Sequence, residues 1–449
     1  MSKLNKALHV VERDRNAIGR CVRLAYYPVV TARASGAHIW DIDGNDYIDF
    51  LAGAATLTVG HCHPKVVAAV KEQAEQLLHY AMVYEYNELP VRLAERLNQL
   101  APGPFKKKTV FGLSGSGAND IAMKLARAAT SRIKLVGFLQ GYHGSTFGAL
   151  SLTAVSLGMR RKLGPLVPEC YHIPYANCFR CPFDQNYPDC GLTCLEYAKF
   201  MFENYIPLEE VAAIIPEPFQ GDSGIIMPPE EWVRALKELC SDNGILFASE
   251  EVQCGFGRTG RWFGIQHFRI DPDMIIFGKA ISAGVPLSGV IARAEVADAA
   301  DAPACFLTTK ASPLSCAAAL AVLDIIEEDQ LLNRATKIGQ YTMKRFTEMQ
   351  ETHSLIGDVR GKGLLIGVDL VTDHKSKAPA KLEARKVCWR CGELGLLLTT
   401  LGKSVLRIAP PLNIPQEDLD AALAIIDQAL IDVEKGKVSD MAVATMSPW

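Results

Sequence analysis

Short apolar runs recur through the middle of the chain, at residues 109–111, 135–138, 211–215, 245–248, 274–277 and 289–291. Between them lie segments with apolar positions at helical spacing, such as 118–128 and 231–240. Runs apolar on both faces, alternating with amphipathic helices, predict a mostly parallel sheet covered by helices. Upstream, AHIWDIDGNDYIDF (37–50) alternates apolar and polar around Asp43-Gly44, the pattern of a β-hairpin. After His63-Pro64, Val67, Val70, Ala74, Leu77 and Leu78 recur at helical spacing, so Pro64 is expected to open a helix. From about residue 320, a helix at 317–328, a short sheet at 364–370 and a helix at 417–433 read as a separate α+β unit.

Composition adds bounds. The 449 residues are enough for two or three domains, and 49% hydrophobic with 22% charged residues is ordinary for a globular enzyme. A net charge of −3 gives no basic surface for nucleic acid or for an anionic membrane. The N-terminal MSKLNKALHVVERDRNAIGR has no apolar signal core, and thirteen cysteines without one point to mostly free thiols in a reducing, cytoplasmic setting. The stretch 274–292 is long enough to span a membrane, but three Gly, two Ser, one Pro and a central Lys279 mark it as strand plus loop.

Candidate chemistry gathers at the ends of the expected strands, where open α/β sheets bind ligands. Lys279 is the only charged residue of 274–292, and burying an ammonium unpaired would cost several kcal/mol. Burial also leaves an amine able to form a Schiff base with an aldehyde cofactor, whereas an ordinary lysine would extend its ammonium to solvent. In VFGLSGSGANDIAMKLARA, a strand, a Ser/Gly turn and a helix follow in the order that offers free N–H groups to a phosphate, although many strand–helix turns carry Ser and Gly for geometry alone. Tyr142, Glu217 and the pair Glu250-Glu251 also follow strand ends; two carboxylates there commonly cap the next turn. Cys178, Cys181, Cys190 and Cys194 have the character of metal ligands, yet spacings of eight and then three residues are not a strong finger pattern. Cys388 and Cys391 read as helical packing residues.

The chain resembles the class III aminotransferases, enzymes dependent on pyridoxal 5′-phosphate (PLP), over essentially its full length. Nine motifs in the same order carry the likeness: IWDIDGNDYIDF, GHCHP, SGSGANDIAMKLAR, GYHGST, PEPFQGDSG, EEVQCGFGRTG, FGKAISAGVPLSGV, GDVRGKGLLIGVDL and RIAPPL. The resemblance implies the PLP-dependent transferase fold type I, like aspartate aminotransferase. That is a large α/β domain with a mostly parallel seven-stranded sheet, plus a smaller α+β domain. The expected organisation is an N-terminal arm and hairpin over 1–60 belonging to the small domain, the PLP-binding domain over 61–318, and the C-terminal small domain over 319–449.

It also implies roles. Lys279 would be the Schiff-base lysine, and Glu250 would face the pyridine nitrogen and keep it protonated. Tyr142 would stack on the ring, with His143 beside it, and Val252 would pack on the other face. Gln253 would bond the phenolic oxygen, and Gly115 and Ser116 would hold the phosphate. Thr308 would reach the phosphate from the neighbouring subunit, so a homodimer or homotetramer would share its sites. Arg407 would clamp the substrate's α-carboxylate. Three positions depart from the family pattern: Glu250 stands for the usual Asp, Gly117 for an acidic residue, and Lys310-Ala311-Ser312 for Gly-Gly-Asn.

Asp222 in PEPFQGDSG bears on the reaction. Most transaminases of the family carry Glu there. Members resembling isoleucine 2-epimerase and aminocaprolactam racemase carry Asp, as the base on the face opposite the lysine. NAIGRCVRLAYYP, SLTAVSLGMRRKLGP, DAPACFLTTKASP and the terminal Trp449 are also similar to that branch. The bland alternative is a turn residue before Ser223-Gly224. The expected activity is racemisation or epimerisation of neutral amino acids by Lys279 and Asp222. The alternative is transamination from an amino acid, or an ω-amine such as 4-aminobutyrate, to a 2-oxo acid. A non-catalytic ligand sensor would need a DNA-binding module, which nothing in the chain resembles.

Overall fold

The computed structural model describes residues 4–24, 26–444 and 446, so Trp449 lies outside the described residues. The chain forms two compact units, Pro64–Leu332 and the flanking segments Met1–His63 with Asn333–Trp449. These limits differ from the expected boundaries at 60/61 and 318/319. The helix Pro313–Glu328 falls wholly in the central unit, packed on the helix Pro64–Gln76 and the turn Lys279–Ser282.

In the flanking unit, β1 (Thr31–Ser35), β2 (His38–Asp41) and β3 (Asp46–Asp49) form antiparallel neighbours, and Leu396–Leu397 pairs parallel to β3. The hairpin expected from 37–50 is held by Asp41. Its carboxylate accepts the N–H groups of Asp43 at 3.0 Å and Asn45 at 2.8 Å, while Gly44 takes φ +89 at the turn. A second antiparallel sheet runs in the order Ile356–Lys362, Leu365–Asp373, Val405–Ile408, Thr399–Leu401. Cys388 and Cys391 lie on the helix Lys381–Glu393, both fully buried.

The central unit is built on seven strands: β4 (Lys107–Gly112), β5 (Lys134–Phe138), β6 (Cys170–Ile173), β7 (Val211–Ile214), β8 (Leu246–Glu250), β9 (Met274–Phe277) and β10 (Ser288–Arg293). Their order is β4-β10-β9-β8-β7-β5-β6, parallel from β9 to β6, with β10 antiparallel to both its neighbours. β5, β7 and β9 are buried along their whole length, which is why they read as continuous apolar runs. β6 gave no such signal because CYHI is an edge strand with only Ile173 buried. On one side, Ile121, Ala122 and Leu125 of the helix Gly115–Thr130 join Leu135, Ala213, Ala248 and Ile276 in one core. Trp232, on the helix Glu230–Asp242, packs edge-on against Phe138 and Tyr175. No helix among the described residues is long and apolar enough to cross a membrane.

Candidate active site

A cavity of about 120 Å³ opens at the carboxyl ends of the central strands. Its wall is Gly115 and Ser116 after β4, Tyr142, His143 and Gly144 after β5, Glu217 after β7, Glu250, Val252 and Gln253 at the end of β8, and Lys279 after β9. Residues up to 164 positions apart in sequence thus meet because parallel strands deliver their loops to one edge.

Ser114 caps the helix Gly115–Thr130 by accepting the Gly117 N–H at 3.2 Å, which leaves the N–H groups of the first turn facing the cavity end. Gly115 is required by close approach: a Cβ there would fall 2.8 Å from Val252 Cγ1. Gly144 has φ +134, and a Cβ on it would collide with Ser116 Oγ. Ser116 Oγ in turn accepts the Ser145 N–H at 3.1 Å, and Asn119 Nδ2 donates to the His143 carbonyl at 2.8 Å, tying the loop after β5 to this helix.

Lys279 holds φ +45 at the start of the turn Lys279–Ser282, a region that costs a side-chain-bearing residue and recurs at functional sites. Glu250, at the end of β8, is buried, and its Oε1 accepts the Val252 N–H at 3.1 Å. Burial raises its carboxyl well above the ordinary range, Glu217's charge pushes the same way, and the Lys279 ammonium opposes both. Glu251 points elsewhere, accepting the N–H groups of Gly264 at 2.7 Å and Ile265 at 2.8 Å, so one member of the acidic pair is indeed a turn cap.

Asp222 is buried outside the cavity lining and meets it through Gln253, whose Nε2 donates to Asp222 Oδ1 at 3.3 Å. Burial raises the Tyr142 phenol, and the charges of Asp222 and then Glu250 raise it further, which places both carboxylates within electrostatic reach of this ring. His143 is fully enclosed, and burial lowers its imidazole to about 3, so it is neutral at ordinary pH. Gln253 Oε1 and both ring nitrogens of His143 are buried polar atoms without a hydrogen-bond partner among the described residues. The sequence placed Glu217 at a strand end and gave it no role; it proves to be part of the wall.

Thr308 is exposed and outside this lining. Arg407 belongs to the flanking unit, buried on the strand Val405–Ile408 opposite Gly367 and Thr399. Ser312, in place of the family's Asn, caps the helix Pro313–Glu328 by accepting the Ser315 N–H at 3.2 Å. Cys178, Cys181, Cys190 and Cys194 line a separate small cavity, where burial pushes Cys178 and Cys194 up to about 11 and keeps them as thiols. Among the described residues, no group of three or more His, Cys, Asp or Glu is arranged to hold a metal ion.

The wall combines a helix N-terminus, an amine, a carboxylate, an aromatic ring and an unpartnered amide oxygen. These are the complements of a phosphate, an aldehyde, a ring nitrogen, a ring face and a protonated phenolic or imine group, so PLP fits the donor set.

The chain is similar to known proteins over nearly its whole length. The chain is 45% identical over 98% of its length to a leucine/methionine racemase of Thermococcus litoralis, covering 99% of that protein. It is 43% identical to an isoleucine 2-epimerase of Lentilactobacillus buchneri, covering 98% of each chain. The fold matches an amine transaminase from an uncultivated Pseudomonas species, solved in its PLP-bound form, with TM-score 0.84 and 28% identity over 90% of this chain and 95% of that one. The model for aminotransferase class III matches residues 22–430, and the chain belongs to that family of enzymes.

Proposed function

We propose that this enzyme holds PLP in the cavity and racemises or epimerises neutral amino acids, with Lys279 and Asp222 as the two bases. The observation that carries the reading is the linked set around the cavity: Lys279 and Glu250 in the wall, and Asp222 hydrogen-bonded to Gln253 of the same wall. When bound, PLP draws electrons from an attached amino acid and so weakens the bonds at its α-carbon. Glu250 would face the ring nitrogen and hold a proton there. Gly115 and Ser116 would donate to the phosphate, Tyr142 and Val252 would hold the ring, and the buried wall would exclude water. Lys279 takes the α-proton on its side, and Asp222 delivers one from the other. The names of the two relatives support inversion rather than transfer of the amino group. Arg407 as the clamp for the substrate carboxylate rests on the RIAPPL pattern.

Thr308 would complete the site of a second copy, and a homodimer is supported by exposed apolar residues between the helices Pro64–Gln76 and Glu88–Leu100, Leu78, Tyr84 and Tyr86 among them. Thirteen free cysteines support a reducing, cytoplasmic setting.

The test uses one enantiomer of a neutral amino acid with enzyme and PLP in deuterated water, without any 2-oxo acid. Inversion with deuterium at the α-carbon is expected; retained configuration refutes the reading. Asp222→Asn should abolish inversion while leaving exchange on the Lys279 side, and an unchanged variant removes Asp222 from the mechanism. The transaminase alternative, favoured by the structural likeness to the amine transaminase, predicts turnover only when a 2-oxo acid is added.

A further inference from the structure

Glu217 is buried, with its carboxylate on the cavity wall, and its two oxygens serve two different loops. Oε1 accepts the Tyr142 N–H at 3.0 Å, and Oε2 accepts the Gly221 N–H at 2.9 Å. Tyr142 belongs to the loop after β5. Gly221 immediately precedes Asp222 in the loop after β7.

The anchor is itself fixed. The Tyr175 hydroxyl donates to the Glu217 carbonyl at 2.9 Å, and the Glu250 N–H donates to the Pro216 carbonyl at 2.9 Å. Two further bonds run between the same loops, Gln220 Nε2 to the Leu139 carbonyl at 3.0 Å and Ser223 Oγ to the Gln140 carbonyl. At the join there is no room for a side chain, since a Cβ on Gly221 would fall 2.5 Å from Gln253 Oε1. Burial pushes the Glu217 carboxyl up to about 7; the two N–H bonds and Lys279 oppose this, and the charge of Asp222 adds to it.

We propose that Glu217 is a positioning residue. Its carboxylate ties the loop of Tyr142 to the loop of Asp222, and so sets where the second base stands relative to the aromatic wall. The inference rests on the racemase reading and goes beyond it by naming the group that controls delivery from the Asp222 side. The residue type follows from the task. A carboxylate accepts at both oxygens, whereas an amide has one acceptor and would turn its NH₂ toward the other N–H. Aspartate would fall short by about 1.5 Å, and a misplacement near 1 Å costs about 10²-fold in a reaction that depends on alignment.

The experiment compares wild-type holoenzyme with Glu217→Gln, and with Glu217→Asp should the first variant not be recovered folded. In deuterated water, inversion should fall by about 10²-fold, while deuterium exchange with retention falls by less than about tenfold. The visible circular dichroism of bound PLP, which reports the asymmetry of its surroundings, should change at equal PLP occupancy. Equal loss of both rates with an unchanged spectrum would mean that Glu217 only supports the fold, and overturns the proposal. So would wild-type rates in the variant measured. If wild-type enzyme itself gives no inversion, the racemase reading fails separately. Amide hydrogen exchange at Tyr142 and Gly221 then decides: faster exchange in the variant upholds the tie between the loops, and unchanged exchange refutes it.

Discussion

Glu250 and Glu251 end the same strand with opposite assignments, one facing the cavity and the other turned into the protein to hold two backbone N–H groups. Burial pushes Glu251's carboxyl from 4.5 up to about 7, against the pull of those N–H bonds. Between these values the folded chain keeps a proton that the unfolded chain has released. This group's contribution to stability is therefore complete below about pH 4.5, declines as pH rises, and is constant above about pH 7. Glu251→Gln abolishes that titration. From about pH 4 to about pH 8 the wild type should lose about 3 kcal/mol more than the variant, read from urea unfolding of PLP-free protein at each pH. A constant difference between the two proteins across the range would refute the assignment. The sequence showed two adjacent acids, but not which one faced the cavity, because that depends on the position of the turn Gly264–Phe268.

The helix Gly115–Thr130 illustrates how much of an element can be read in advance. Its existence, its strand on the N-terminal side and its Ser/Gly start were legible in SGSGANDIAMKLAR, since the apolar period, the cap and the turn residues agree. Ser114→Ala removes the acceptor of the Gly117 N–H and should destabilise the protein by about 1 kcal/mol, seen as a lower urea midpoint with an unchanged slope. An unaltered midpoint would mean the cap contributes nothing. β6 escaped the pattern because an edge strand needs no continuous apolar run. The tie made by Glu217 was illegible for a different reason. It joins N–H groups of residues 142 and 221, and a hydrogen bond across 75 positions leaves no local signature.

At the scale of the whole molecule, Tyr86 is fully exposed and Val91 nearly half exposed beside it, positions that a second copy would cover. Tyr86→Glu combined with Val91→Glu should raise the monomer fraction in sedimentation velocity; a distribution equal to wild type would exclude this face. The family and the α/β class were readable because nine motifs occur in order. What the sequence withheld was the mechanical linkage between them. That linkage carries a lesson for protein engineers. If Glu217 sets where Asp222 stands, randomising codon 222 alone would swap side chains on a platform fixed elsewhere, and such libraries should be rich in weak enzymes of the parental type. On that proposal, variants with a new reaction outcome should emerge when codons 142, 217 and 222 are diversified together, because the platform itself can then shift.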